Sequence, residues 1–263
     1  MNMSRSIADK FVIGTSGYSF SDWVGPFYPP GTRSGEMLAE YAKHFATVEL
    51  NFTYYRMPTA RTLAGIAART PDDFSLWIKA NQETTHRANR DAAAPFLQAL
   101  APLTEVGKLA GVLMQFPQSF RRTVANRRYL ADALDDFALV ATAVEFRHNS
   151  WQADETLAGL RERGVTLVIP DVPDIKSLYR HEPTVSSSFG YLRMHSRNAD
   201  NWYAGPGDRY DYRYSDAELT GLIDQWTPIA ELVEKIFVYF NNCHAAQAAE
   251  NAETFKRLLA RIA

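Results

Sequence analysis

Eight short apolar runs, rich in β-branched and aromatic residues, alternate along the chain with longer stretches of helical periodicity, and this alternation restricts the fold more than any other feature. The runs are Phe11–Ser16, Thr47–Phe52, Phe74–Asn81, Ala110–Phe116, Leu139–Arg147, Val165–Asp171, Phe189–Ser196 and Lys235–Asn241. Several are almost continuously hydrophobic, which suits parallel strands covered on both faces. Between them the 3.6-residue period predicts helices over Gly35–Phe45, Ala60–Arg69, Ala92–Gly107, Asn126–Phe137, Asp154–Arg163, Asp216–Glu234 and Ala245–Ile262. Asp154 and Ser215 or Asp216 read as N-caps, and Gly107 and Gly164 as C-cap glycines. One unit is irregular: Val172–Ser188, with Pro173, Pro183 and three consecutive serines, is too broken for a full helix. Eight strands, each followed by a helix or its remnant, predict a single α/β domain over residues 1–263, a closed (β/α)8 TIM barrel with an irregular unit after strand six. An open dinucleotide-binding sheet is disfavoured, because Gly14-Thr15-Ser16-Gly17-Tyr18 lacks the G-x-G-x-x-G order.

A net charge of −2 argues against a general nucleic-acid or membrane-surface binder, which needs a strong basic excess, and leaves room only for a local basic groove. The single Cys243 has no intramolecular disulfide partner and no activating neighbour, and it reads as a small buried residue. Residues Met1–Lys10 lack the apolar core of a secretory signal, and no run approaches the ~18 apolar residues of a membrane span. The expected location is the cytoplasm.

Barrel chemistry gathers at the C-terminal strand ends. In order, those ends carry Glu49 and Asn51, Lys79 and Asn81, Gln115, Glu145 and Arg147, Asp171, Arg193 and His195, and Asn241. Because strand side chains alternate faces, Glu49/Asn51, Lys79/Asn81, Glu145/Arg147, Arg193/His195 and Tyr239/Asn241 each place both members on one face. A lone charge at a strand end is ordinarily a solvated tip or surface salt bridge. Five same-face pairs converging on one end point instead to an inward-facing polar pocket, since ions under the helix layer cost several kcal/mol each. Glu49, Glu145 and Asp171 balance Lys79, Arg147 and Arg193, a pattern suited to a polar or anionic ligand clamped by arginine. A metal centre usually collects carboxylates and histidines without so many cations, so no cofactor is expected, a divalent ion being the less favoured alternative. His195 reads as the acid–base histidine, and His86 as a residue within reach of the mouth.

The aromatic residues, 13% of the chain, cluster in the loops over that end. Tyr18, Trp23, Tyr55, Trp202 and Tyr203 are the candidates for a stacking wall, although packing among the loops explains such residues equally well. Asn198–Tyr214, with Gly205-Pro206-Gly207, has the composition of a lid.

The same strand ends resemble those of the YecE-like family, domain of unknown function 72. The resemblance is carried by Ile13-Gly14-Thr15-Ser16-Gly17-Tyr18, Val48-Glu49-Leu50-Asn51-Phe52-Thr53-Tyr54-Tyr55, Gln115-Phe116-Pro117, Tyr191-Leu192-Arg193-Met194-His195 and Phe240-Asn241-Asn242. Its most specific segment is Val144-Glu145-Phe146-Arg147-His148-Asn149-Ser150-Trp151. The resemblance implies a TIM barrel and carries no settled activity. At Ser196 the chain departs from a glycine common in the family.

The residues favour an enzyme with hydrolase-like acid–base chemistry on a polar or anionic small molecule, sugar- or nucleotide-derived. Glu49, Glu145, His195 and Lys79 are its candidate catalytic groups. Asn51, Gln115, Arg147, Asp171, Arg193 and Asn241 are its candidate ligand contacts. The alternatives are a metal-dependent nuclease or phosphodiesterase acting on nucleic acid, and a small-molecule-binding protein without turnover.

Overall fold

The computed structural model describes residues 6–261. Met1–Arg5, read above as part of a segment without a secretory core, and Ile262, the expected end of the last helix, lie outside the described residues. Eight parallel strands form one sheet in the order β1-β8-β7-β6-β5-β4-β3-β2. They are β1 Phe11–Thr15, β2 Thr47–Leu50, β3 Ser75–Lys79, β4 Leu109–Gln115, β5 Thr142–Glu145, β6 Thr166–Asp171, β7 Phe189–Met194 and β8 Lys235–Phe240. Between them run α1 Met37–Tyr41, α2 Phe52–Tyr55, α3 Ala60–Ala67, α4 Gln82–Thr85, α5 Ala93–Ala99, α6 Ala101–Glu105, α7 Val124–Asp136, α8 Asp154–Glu162, α9 Pro206–Arg209 and α10 Asp216–Ala230, with α11 Gln247–Leu259 after β8. The chain is thus a single-domain, nearly closed TIM barrel.

The seam lies between β1 and β2, which share one bridge, Ser16 to Glu49. Below it the Tyr41 hydroxyl spans the gap, accepting from the Thr15 N–H at 2.9 Å and donating to the Thr47 carbonyl at 3.0 Å. Gly14 permits this approach, since a Cβ there would sit 2.4 Å from the Thr47 carbonyl oxygen. An unpaired backbone group inside the wall would cost about as much as a lost hydrogen bond, so one tyrosine completes a strand contact that the backbone does not make.

Local sequence explains most departures from the expected elements. The single helix expected over Ala92–Gly107 is two, α5 and α6, because Pro102 in the first turn of α6 has no N–H to continue the ladder. The strand expected from Leu139 starts at Thr142: a turn over Phe137–Val140 leaves Leu139 fully exposed. Asp154 is the first helical residue rather than the cap, which is Ala153, whereas Ser215 and Glu218 form a reciprocal capping box. Gly107 and Gly164 take positive φ just past α6 and α8, as C-cap glycines do.

The unit after β6 is irregular, as expected. Its Leu178 bridges to His148 over the barrel top, and its Ser186 hydroxyl bonds the Leu167 N–H near the start of β6. In place of a helix there is a groove of about 840 Å3 between α8 and α10, lined by Leu157, Ile169, Leu192 and Trp226. Inside the barrel, Trp77, Leu113, Ala143, Val168, Tyr191, Phe237 and Tyr239 pack into a buried layer. That layer is the floor on which the strand-end polar residues stand. Among the described residues no helix is long and apolar enough to cross a membrane.

Candidate functional site

Strand parity propagates upward from this floor. Trp77, Ala143, Tyr191 and Tyr239 point inward, so Lys79, Glu145, Arg193 and, past the strand end, Asn241 do the same. The centre of the site is a sealed ion triad. Arg193, 1% exposed, donates to Glu145 Oε2 at 2.5 Å and to Glu49 Oε1 at 2.7 Å, and both carboxylates are fully buried. From the floor the Tyr191 hydroxyl donates to Glu49 Oε2 at 2.7 Å. Burial opposes charge on Arg193, but the two carboxylates hold it protonated. Burial likewise works to raise the Glu145 carboxyl, yet Arg147, Arg193 and His195 hold it well below the usual carboxylate value.

His195 is expected above to shuttle protons, and its surroundings argue otherwise. It is fully buried, its Nε2 donates to Glu145 Oε1 at 3.2 Å, and its Nδ1 accepts from Asn241 Nδ2 at 3.0 Å. Burial and the neighbouring Arg147 push it down to about 3, so the ring is neutral with both nitrogens engaged. His195 positions Glu145.

Around the triad lies a half-buried rim. Arg147 Nε meets Glu145 Oε1 as an ion contact without hydrogen-bond alignment, and its guanidinium sits 6.0 Å from the Trp202 ring. Lys79 Nζ donates to Gln115 Oε1 at 2.8 Å and lies 4.5 Å from the Tyr54 ring centre. Burial, with Arg193 and Arg147 nearby and only partly offset by Glu145 and Glu49, lowers the Lys79 ammonium from 10.5 to about 7. His86 stacks edge-on against Tyr54 at 4.9 Å, and burial followed by the charges of Lys79 and Arg147 lowers it to about 4. Arg193 Nε and Asn51 Oδ1 are buried without partners among the described residues, an open donor and an open acceptor. Such groups are rare unless something polar completes them.

Several expected site residues fall elsewhere. Asp171 is out of phase: Val168 and Pro170 face inward, so Asp171 faces outward, where it accepts two hydrogen bonds from Arg197, at 2.9 and 2.7 Å, and one from the Tyr214 hydroxyl. Its departure leaves two carboxylates against three basic side chains in the mouth, not the balance read from the sequence. Trp23 is fully buried and donates to the Cys243 carbonyl at 2.8 Å, so it packs the first loop and offers no stacking face. Tyr18 packs against Tyr41, ring centres 6.2 Å apart. Trp202 is also buried, 6.4 Å from His195, and roofs the triad together with Tyr210 at 6.0 Å. Tyr55 is 75% exposed and Tyr203 60%, the latter bonded to Gln118 and Ser177. Cys243 gives its thiol to the Ser16 carbonyl, and burial, then Glu49, pushes it up, away from the thiolate.

His86 lies at the mouth as expected, beside Tyr54, whereas the sequence reading missed Tyr54, Tyr191 and Tyr210 as members of the site. The parity rule that finds Arg193 also finds Tyr191, two residues earlier; the other two sit on loops or short helices whose phase no strand pattern sets. Among the described residues, no three side chains of His, Cys, Asp and Glu gather as a divalent ion would require.

A cation that its acidic neighbours compensate only in part leaves a thermodynamic trace. In the folded chain Lys79 loses its proton near 7, in the unfolded chain near 10.5, so between these values the unfolded state holds more protons and stability rises with pH. Lys79→Met is therefore expected to be more stable than the parent below pH 7, with the advantage shrinking toward pH 10. Urea titrations of both proteins at pH 6, 8 and 9.5 check this; a constant difference would mean that Lys79 is not desolvated.

Residues 12–262 match the family model described as "Protein of unknown function DUF72". The chain is 30% identical to the UPF0759 protein YunF of Bacillus subtilis, covering 94% of each protein. It is 29% identical to the UPF0759 protein YecE of Escherichia coli over 66% of this chain and 63% of that one. The crystal structure of a DUF72 family protein from Thermotoga maritima superposes with a TM-score of 0.89 at 36% identity, covering 95% of this chain and 99% of that one.

Proposed function

This chain belongs to the DUF72 family, and we propose that it is an enzyme whose barrel mouth binds an anionic small molecule for acid–base chemistry. One observation carries the reading: the two buried carboxylates, Glu49 and Glu145, face three basic side chains, and with Arg193 between them and Arg147 against Glu145, one basic group is in surplus, Lys79, which shares the half-buried rim with Arg147. A carboxylate or phosphate oxygen suits the Arg147 guanidinium, whose fork favours bidentate acceptors. The acid–base role passes from His195 and the glutamates to Lys79, because a group that titrates near 7 serves as either acid or base at neutral pH. Gln115 orients the Lys79 amine, Tyr54 and His86 wall one side, and Trp202 covers the other. The same reading puts the protein in the cytoplasm, where a lone cysteine stays reduced.

The test is a thermal-shift panel of mono- and dicarboxylates, phosphate monoesters and neutral sugars. A ligand at a hundred times its Kd stabilises by about 2.7 kcal/mol, well within reach of such a measurement. An anion is expected to raise the melting temperature of the parent, and Arg147→Gln to weaken that response at least tenfold. Stabilisation by neutral sugars alone, or an unchanged anion response in Arg147→Gln, would overturn the reading.

A further inference from the structure

We propose that Lys79 acts as a nucleophile that forms an imine with a small aldehyde or ketone carrying an anionic group. The inference rests on the anion-site reading above and deepens it by naming the substrate class. The chain has seven lysines, and geometry sets this one apart. Lys43 and Lys256 pair with Glu40 and Glu253. Lys10 donates to two backbone carbonyls, and the buried Lys108 to two carbonyls and a hydroxyl. Lys176 and Lys235 are exposed; among the described residues Lys79 alone is a lysine in the barrel mouth, it forms no salt bridge, and its one hydrogen bond goes to the neutral amide oxygen of Gln115. Two of its donor positions are thus uncommitted, on an amine that stands above the aromatic floor with cationic guanidiniums beside it.

Those guanidiniums serve two ends. After burial, which contributes most, they disfavour a further positive charge against the partial offset of Glu145 and Glu49, and this keeps the amine lone pair available near neutral pH. They also attract the anionic group of the substrate, so that Arg147 anchors the carboxylate or phosphate while the carbonyl carbon meets Nζ. In the reaction the Nζ lone pair forms the C–N bond as the C=O π pair moves onto oxygen, and one proton passes from nitrogen to that oxygen. A proton from solvent then protonates the hydroxyl, water leaves, and the nitrogen pair forms the C=N bond, giving an iminium that keeps one N–H. The net change is amine plus carbonyl plus one proton to iminium plus water, with no oxidant or reductant.

The experiment incubates the full chain with pyruvate or dihydroxyacetone phosphate, reduces with sodium borohydride, and maps adducts by intact and peptide mass spectrometry. A single adduct at Lys79 is expected, at least tenfold above any other lysine, with a labelling rate that reaches half its maximum near pH 7 rather than near 10.5. Arg147→Gln should cut labelling at least tenfold while acetone, which lacks the anionic group, labels parent and variant alike. Lys79→Arg should abolish the adduct, and its retained melting transition shows that the variant folds. Adducts spread evenly over surface lysines, or labelling that survives Lys79→Arg, would overturn the proposal. If these probes raise the melting temperature through Arg147 yet leave no adduct, the imine inference fails and the anion site stands; if no anion binds, both fail.

Discussion

Replacing Arg193 with methionine is expected to lower the unfolding free energy by about 3–5 kcal/mol, the cost of removing one partner from a buried ion pair. Here two fully buried carboxylates, Glu49 and Glu145, lose the same guanidinium at once, and among the described residues no other cation pairs with Glu49. At roughly 2–4 °C per kcal/mol for a chain of this size, the melting temperature should fall by about 6–20 °C. Urea titration gives the value directly. The mechanism predicts its own rescue: with Glu49→Gln and Glu145→Gln added, the charges left behind disappear and much of the loss should return. A single variant as stable as the parent, or a triple variant no better than the single, would show that the triad does not hold the strand ends together as described. Arg193→Met should also shift the anion response, because the triad fixes the carboxylate against which Arg147 rests.

The second large effect lies one layer lower. Trp77 is fully buried in the barrel interior, with ring centres at 4.8 Å from Tyr191, 5.4 Å from Phe237 and 5.5 Å from Phe189. Trp77→Ala empties the middle of the floor, and truncations of this kind cost about 3–5 kcal/mol because the surrounding barrel relaxes only partly. Trp77→Phe should cost less, since a six-membered ring keeps part of the contact with Tyr191 and Phe237. Denaturant midpoints of the two variants test the order; an alanine variant within about 1 kcal/mol of the parent would mean that the floor collapses freely. The two residues are coupled through Tyr191, which packs on Trp77 and donates to Glu49, so loss of the floor should also loosen the triad.

Much of this was legible in the sequence because it follows from local rules. The eight apolar runs predicted the eight strands, and the period of two predicted that Glu49, Lys79, Glu145, Arg193, His195 and Asn241 share a face. The same rule also contains the correction for Asp171: counted from Val168 rather than from the strand end, its parity is outward. The wrong reading came from taking every charge at a strand end as part of the mouth. The aromatic loops were misjudged for a different reason. Trp23 and Trp202 reach their buried positions through contacts more than 30 residues distant in sequence, with Cys243 and with Arg147 respectively, and no local pattern contains those contacts. Tyr54 and Tyr55 are adjacent, yet one stands over Lys79 and the other is exposed, because the short helix α2 turns them apart.

The alternation of strands and helices, and with it the barrel and the set of side chains inside its upper end, was determined by the sequence alone, since hydrophobic periodicity and backbone geometry act over a few residues. Which of those side chains are spent on one another and which stay open was decided only by the tertiary structure. Desolvation and charge pairing depend on neighbours from opposite walls of the barrel: Arg193 on β7 reaches Glu49 on β2 and Glu145 on β5, Arg147 rests against Glu145, and the remaining surplus falls on Lys79. A charge balance counted along the chain cannot show this, because the energy of a buried ion is set by what surrounds it in space.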